Sequence, residues 1–178
     1  MFARLSHLTE MTSYEHGVPS WVDIGMPDPV AGMRFYAQLF GWEGQDLGKE
    51  AGHYTIASKG AKQVGAFIWS ELSTSDLAKS KAFYTAVFGW GWGCVDEHTE
   101  AQVGGRTIGG VMPRRPDMPA EVPDNWLVYF GADDVNADAK KGVELGRPWS
   151  LVRPISRGQG ALPCAWIPRG VVFALFKG

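Results

Sequence analysis

"FYAQLFGWE" (residues 35–43) is answered 48 residues later by "FYTAVFGWG" (residues 83–91). A chain writes one aromatic phrase twice when it is built from repeated supersecondary units that must each bury the same face. Working outward, Trp21–Trp42 set against Trp69–Trp90 gives identities at Trp21/Trp69, Asp28/Asp76, Phe35/Phe83, Tyr36/Tyr84, Phe40/Phe88, Gly41/Gly89 and Trp42/Trp90. These are seven of 22 positions, where composition alone gives roughly one or two. Asp23/Glu71 and Ile24/Leu72 are chemically alike. "KGAKQVGA" (59–66) meets "VGGRTIGG" (103–110) at an offset of 44, so the second copy is four residues shorter. A third, fainter copy opens at Trp126, "WLVYFGADDVNADAKKGVELG", which keeps the Trp, an Asp at the same distance (Asp133), a helical stretch and a closing Gly146.

Each copy reads as a strand, a helix and then short strands. Trp21–Met26 is a compact apolar run. Asp28 is an N-cap, Pro29 suits the first helical turn, and Gly41 is a helix stop. Val30, Met33, Tyr36, Ala37 and Phe40 share one helical face and form the expected buried stripe. In the second copy Asp76 caps the helix, Leu77, Tyr84, Val87 and Phe88 form the stripe, and Gly89 ends it. The third helix is expected from Asp134 to about Leu145. "PRRPDMPAEVPD" (113–124) carries four prolines and is a linker, since proline belongs neither in a helix interior nor in a central strand.

Tandem βαβββ copies, "FY..LFGW" at the helix end and "GVVFALF" near the C-terminus resemble the vicinal oxygen chelate superfamily, that of glyoxalase I, bleomycin-resistance proteins and extradiol dioxygenases. The likeness covers about residues 17–178 and is nearest to tandem glyoxalase-like proteins. These often open like "MTSYEHGVPSWVDIGMPD", which makes Met11 a second candidate start. The resemblance implies an α+β fold in which repeated βαβββ units form curved mixed sheets with helices outside. The expected organisation is a disordered leader (1–16), a short or incomplete copy one (17–68), copy two (69–112), the linker (113–124), and copy three (125–178) paired with copy two. Copy one then lacks a mate within the chain, so a homodimer is expected, because an unpaired sheet edge invites association.

Metal-binding relatives carry a ligand at the start of the first strand of a unit and a Glu in the last. Here those slots hold Trp21, Trp69 and Trp126, and Ala66, Gly110 and Ala174, so the resemblance implies a pocket without the inherited metal ligands. His53, His98 and Glu100 are the alternative metal set. Strand alternation places Trp21 with Asp23 and Trp69 with Glu71 on common faces. A carboxylate among indoles is a candidate general acid or base, so Asp23 and Glu71 are the catalytic candidates. Trp21, Trp69, Trp126, Val128 and Trp166 are the candidate ligand-binding residues, and neither metal nor cofactor is expected.

An apolar fraction of 45% with eight tryptophans supports a real core with indoles to spare. A net charge of −2 and the lack of basic runs argue against nucleic acid. No stretch reaches the length of a bilayer span, and two cysteines make no disulfide framework. A cytoplasmic, non-membrane protein is expected. The first functional expectation is a small aromatic or polyketide-like ligand, held for sequestration or for acid/base-assisted conversion. The alternatives are a metal-dependent glyoxalase-type lyase or ring-cleaving dioxygenase, and an accessory protein with a vestigial pocket.

Overall fold

The computed structural model describes residues 14–59, 65–95, 98–116, 118, 121–146, 164–166 and 172–177. The expected leader falls mainly on residues 1–13, which lie outside that set. The fold is α+β with mixed sheets. Its elements in chain order are α1 (Pro29–Phe40), β1 (Glu43–Asp46), a 3-10 turn (Lys49–Ala51), β2 (Thr55–Ser58), β3 (Phe67–Thr74), α2 (Leu77–Phe88), β4 (Gly91–Val95), β5 (His98–Val103), β6 (Arg106–Pro113), β7 (Asn125–Gly131), α3 (Val135–Glu144), β8 (Cys164–Trp166) and β9 (Val172–Phe176). Among the described residues no helix is long and apolar enough to cross a membrane.

The three helices start and stop on local chemistry. Asp28 accepts the Ala31 N–H at 2.9 Å, and Asp76 accepts that of Lys79 at the same distance. Each of these two helices ends on a glycine in the left-handed region, Gly41 at φ 71° and Gly89 at φ 70°, where a Cβ would be strained. The third cap is Asp134, which takes the N–H groups of Asn136 and Ala137. The expected counterpart Asp133 is exposed. The cap thus stands one residue later, counted from Trp126, than Asp28 and Asp76 do from Trp21 and Trp69.

The chain divides into two compact lobes. Of the described residues, the central lobe holds those within Thr12–Val22 and Ile68–Tyr129, and the other holds those within Asp23–Phe67 and Phe130–Gly178. In the central lobe the strands lie in the order β4-β5-β6-β3-β7. β4, β5 and β6 are antiparallel neighbours, with Gly104 and Gly105 at positive φ turning the second hairpin. β3 runs parallel to β6 because α2 and both hairpins intervene. Leu72, Trp90, Ala101 and Val111 make the core, with Leu77, Tyr84, Trp92 and Trp126 packed against it.

In the other lobe β1 pairs with β2, and β9 lies between β8 and the end of β7. There the Gly65 N–H donates to the Gly131 carbonyl, the Gly131 N–H to Ala66, and the Ala132 N–H to Phe176. Copy one thus packs with the chain's own C-terminal segment, through Tyr36 and Phe40 against Phe173, and Phe40 and Trp42 against Phe130. Trp21–Met26, expected as a strand, has no regular secondary structure. It passes from one lobe to the other between Val22 and Asp23.

The repeated phrase builds the same stack in both lobes. Tyr36 lies on Trp42 with ring centroids 4.8 Å apart, and Tyr84 on Trp90 at 4.7 Å. Tyr36–Phe40 and Tyr84–Phe88 are both at 6.1 Å. Each closing Trp then donates its indole N–H to a glycine carbonyl at 2.8 Å, Trp42 to Gly65 and Trp90 to Gly17. Both glycines have positive φ, and a Cβ would stand 2.7 Å from the Phe40 side chain at Gly65 and 3.2 Å from that of Phe88 at Gly17. Gly17 and Gly65 are themselves 48 residues apart. The repeat therefore reaches four residues further back than Trp21, and each helix clasps the glycine that opens the other copy. Gly17, with Glu15 accepting from Arg106, also fixes the last residues assigned to the leader.

The stripes differ from expectation. In α1 the buried residues are Gly32, Phe35, Tyr36, Leu39 and Phe40, while Val30 is exposed. In α2 Phe83 and Val87 are exposed, although the equivalent Phe35 and Leu39 are buried.

Asp124 ties the start of β7 to the end of β3. It accepts from the Thr74 hydroxyl and the Ser75 N–H, both at 2.8 Å. The Thr74 bond, then the Ser75 bond, hold its carboxyl below the ordinary 3.8. A lowered folded value means that ionised Asp124 stabilises the fold above the unfolded value, and that this is lost as pH falls through the folded one. Asp124→Asn is therefore expected to flatten the acid limb of stability measured by urea unfolding below about pH 4. An unchanged slope there would contradict this assignment.

Candidate functional site

Alternation along three neighbouring strands decides which side chains meet. Leu72, Ala101 and Val111 belong to the core beside α2, so Glu71, Glu100 and Gly110 face the other way. The register puts these three in one row, since Gly110 is the partner of Glu71 in β3 and of Glu100 in β5. Gly93 of β4 continues the row beside Glu100. Tyr129 of β7 closes it, its hydroxyl donating to Glu71 Oε2 at 2.7 Å.

Two glycines let the polar side chains of this row lie flat on the sheet. A Cβ at Gly110 would stand 2.7 Å from Glu71 Oε1, and one at Gly93 would stand 2.4 Å from the Gln102 amide nitrogen. Glu100 accepts the Thr107 hydroxyl at 2.7 Å. Glu71 is 6% exposed and Tyr129 2%. Taking a carboxylate out of water is costly unless it is hydrogen-bonded, and a bond to a charged group returns about 1.5–3 kcal/mol. The Tyr129 hydroxyl also fixes the carboxylate's orientation.

The expected site residues are not all gathered here. Glu71 is on this face, and half-buried Trp69 shares its alternation on β3. Trp126 is not. Its indole N–H donates to the Tyr84 hydroxyl at 2.8 Å and its ring meets Trp90 edge-on, which places it in the core on the opposite side from Tyr129. Val128 follows the same alternation as Trp126. Trp21 is 56% exposed and outside any strand. Asp23 is exposed, accepts the Tyr54 hydroxyl and lies in the other lobe from Glu71, so the enclosure that would make it a tuned acid is missing. The Trp166 side chain lies outside the described residues.

Tyr129, Glu100, Ser73, Gln102 and Thr107 are the residues that sequence reasoning missed as a set. "HTEAQV" held the signal, since His98, Glu100 and Gln102 alternate with Thr99, Ala101 and Val103. The alternative metal set does not assemble. His53 Nδ1 pairs with Asp46 at 2.9 Å in one lobe, while His98 and Glu100 are on β5 in the other. Among the described residues no three His, Cys, Asp or Glu side chains are grouped to hold a metal ion. Indoles at 69 and 126 and a glycine at 110 supply no metal donor at those three slots.

Residues 66–99, covering β3, α2 and β4, match the family model described as bleomycin resistance protein-like N-terminal. Over 84 residues the chain is 33% identical to CFP32 of Mycobacterium tuberculosis, whose name marks it as a provisional glyoxylase, covering 44% of this chain and 32% of that protein. Over 169 residues it is 30% identical to the anthracycline biosynthesis protein DnrV of Streptomyces peucetius, covering 94% of this chain and 49% of that one. DauV of Streptomyces sp. strain C5, also named for anthracycline biosynthesis, is 29% identical over the same length. The chain thus spans between a third and a half of these relatives' lengths. With the βαβββ unit β3-α2-β4-β5-β6, these likenesses give the chain's resemblance a direction: it is similar to glyoxalase- and bleomycin-resistance-like proteins of the vicinal oxygen chelate superfamily.

Proposed function

We propose that the polar face of the central lobe binds a small planar, oxygenated compound of aromatic or polyketide-like type, without a metal, and that Glu71 moves a proton on it. The observation that carries this reading is the buried Glu71–Tyr129 hydrogen bond on a sheet face where Glu100, Gln102 and Ser73 are its neighbours. A buried carboxylate with one oxygen held by a phenol is a positioned base for an acidic C–H or hydroxyl. Trp69 offers an apolar flank beside it. Two relatives named for anthracycline biosynthesis support the ligand class, because anthracyclines are planar and rich in carbonyl and hydroxyl oxygens.

Tryptophan emission, followed during titration with naphthoquinones, anthraquinones and small aldehydes, tests the binding. At least one planar compound is expected to bind one-to-one with a Kd below about 0.1 mM, some 5–6 kcal/mol. If none of them bound below about 1 mM, the accessory reading with a vestigial pocket would replace this one.

A further inference from the structure

Half-buried Gln102 lies across Gly93 on the polar face of the central lobe. A Cβ at Gly93 would have the Gln102 side chain as all three of its nearest contacts, at 2.4 Å from Nε2, 3.2 Å from Cδ and 3.7 Å from Oε1. Gly93 is not among the glycines at positive φ, so the backbone of β4 sets no requirement for glycine there. Glycine weakens a strand interior, and where it stands in one a ligand or a backbone often approaches closely. What the missing side chain supplies here is room for the carboxamide.

We propose that Gln102 is the residue by which this face selects its ligand. Its carboxamide, lodged over Gly93, donates an N–H to a carbonyl oxygen, so that the ligand is a planar ketone or quinone. This rests on the site reading above and narrows it. Gly93 of β4 and Gly110 of β6 are both register partners of Glu100 on β5, which sets them two strand spacings apart, about 9–10 Å at Cα. The Gln102 amide lies over the first and the Glu71 side chain over the second, so a body of two or three fused rings reaches from one to the other. Thr107, the partner of Gln102 on β6, donates its hydroxyl to Glu100, and among the described residues the Gln102 carboxamide enters no hydrogen bond. Ser73 is the independent sign that this face takes a polar ligand. It is 8% exposed and its hydroxyl has no hydrogen-bond partner among the described residues, although buried hydroxyls are almost always bonded. It stands two residues beyond Glu71 on β3 and shares its side of the sheet.

The test uses a matched pair of probes, 9-fluorenone and fluorene, which share one flat outline and differ by a carbonyl in place of a methylene. Binding to the full chain is measured by equilibrium dialysis near neutral pH. Apolar burial alone favours the hydrocarbon, so the expected preference of about tenfold for the ketone runs against it. Gln102→Leu should bring that preference down to about twofold or less. Gly93→Ala should weaken both probes by about tenfold, because the carboxamide must rise off the sheet. Its urea midpoint should stay at the parental value, since the displaced atoms end a flexible side chain. Adding Gln102→Ala to Gly93→Ala should restore fluorene binding and leave the ketone without its advantage, a rescue that a merely structural Gly93 would not show. Gln102→Leu serves alone if the Gly93 variant does not fold. Equal binding of the two probes by the parent chain, or a ketone preference that survives Gln102→Leu, would overturn the Gln102 inference and leave the pocket standing. Failure of Gln102→Ala to rescue Gly93→Ala would overturn it too, as would binding of neither probe when a quinone from the panel above does bind. Binding of neither probe and no quinone would sink both readings together.

Discussion

Phe40→Ala is expected to destabilise the chain by about 3–5 kcal/mol, and Phe88→Ala by about 1–2 kcal/mol. The two residues occupy one position of the repeated phrase, and their stacks on the neighbouring Tyr and Trp are nearly superimposable in distance. What differs is the rest of the environment. Phe40 is 4% exposed and meets Phe130 and Phe173, whereas Phe88 is 36% exposed. Removing Phe40 therefore loses the transfer term and leaves a cavity between helix and sheet. Removing Phe88 loses mainly its pairing with Tyr84 and Trp90. Urea unfolding of both variants, followed by far-UV circular dichroism, separates the cases. Equal losses would mean that Phe88 is as enclosed as Phe40 and that α2 carries no exposed apolar face.

That contrast also shows which levels of structure were readable in the residues. Caps and stops were, because Asp28, Asp76, Gly41 and Gly89 act through bonds made within four residues. The aromatic phrase was readable as a repeat for the same reason, since its rings meet one another before they meet anything else. Faces were harder. A helix of 12 residues tolerates two neighbouring stripes, and the choice of Phe35 and Leu39 over Val30 and Ala37 depends on which surface covers the helix. Trp126 was equated with Trp69 by alignment, yet the two point to opposite sides of the sheet, because alternation propagates from register rather than from sequence similarity. The partnership of copy one with the segment after Phe130 is a long-range choice, written partly in Phe130 and Phe173 and partly in the glycine pair at 17 and 65. The glycine pair could have been found by extending the same 48-residue offset. The Glu71–Tyr129 bond spans 58 positions and had no local signal beyond the polar alternation of β5.

Glu71→Gln is expected to lower turnover of any compound that the chain converts by about 10²–10⁴-fold while its binding stays within about threefold. The amide keeps the shape over Gly110 and still offers an oxygen to the Tyr129 hydroxyl, but it cannot take up a proton. Tyr129→Phe should act differently. It leaves the carboxylate in place and removes its tether, so proton transfer should fall by about tenfold through misorientation, and stability should fall by about 1–3 kcal/mol because a buried carboxylate loses a bond. Solvent deuterium exchange into the bound compound, followed by proton NMR, measures the transfer itself and needs no product assay. Exchange that survived Glu71→Gln at the parental rate would remove Glu71 from the chemistry and leave the face as a binding surface alone. If Tyr129→Phe also retained parental exchange, the hydrogen bond between β7 and β3 would be a fold contact and not part of a proton-transfer site.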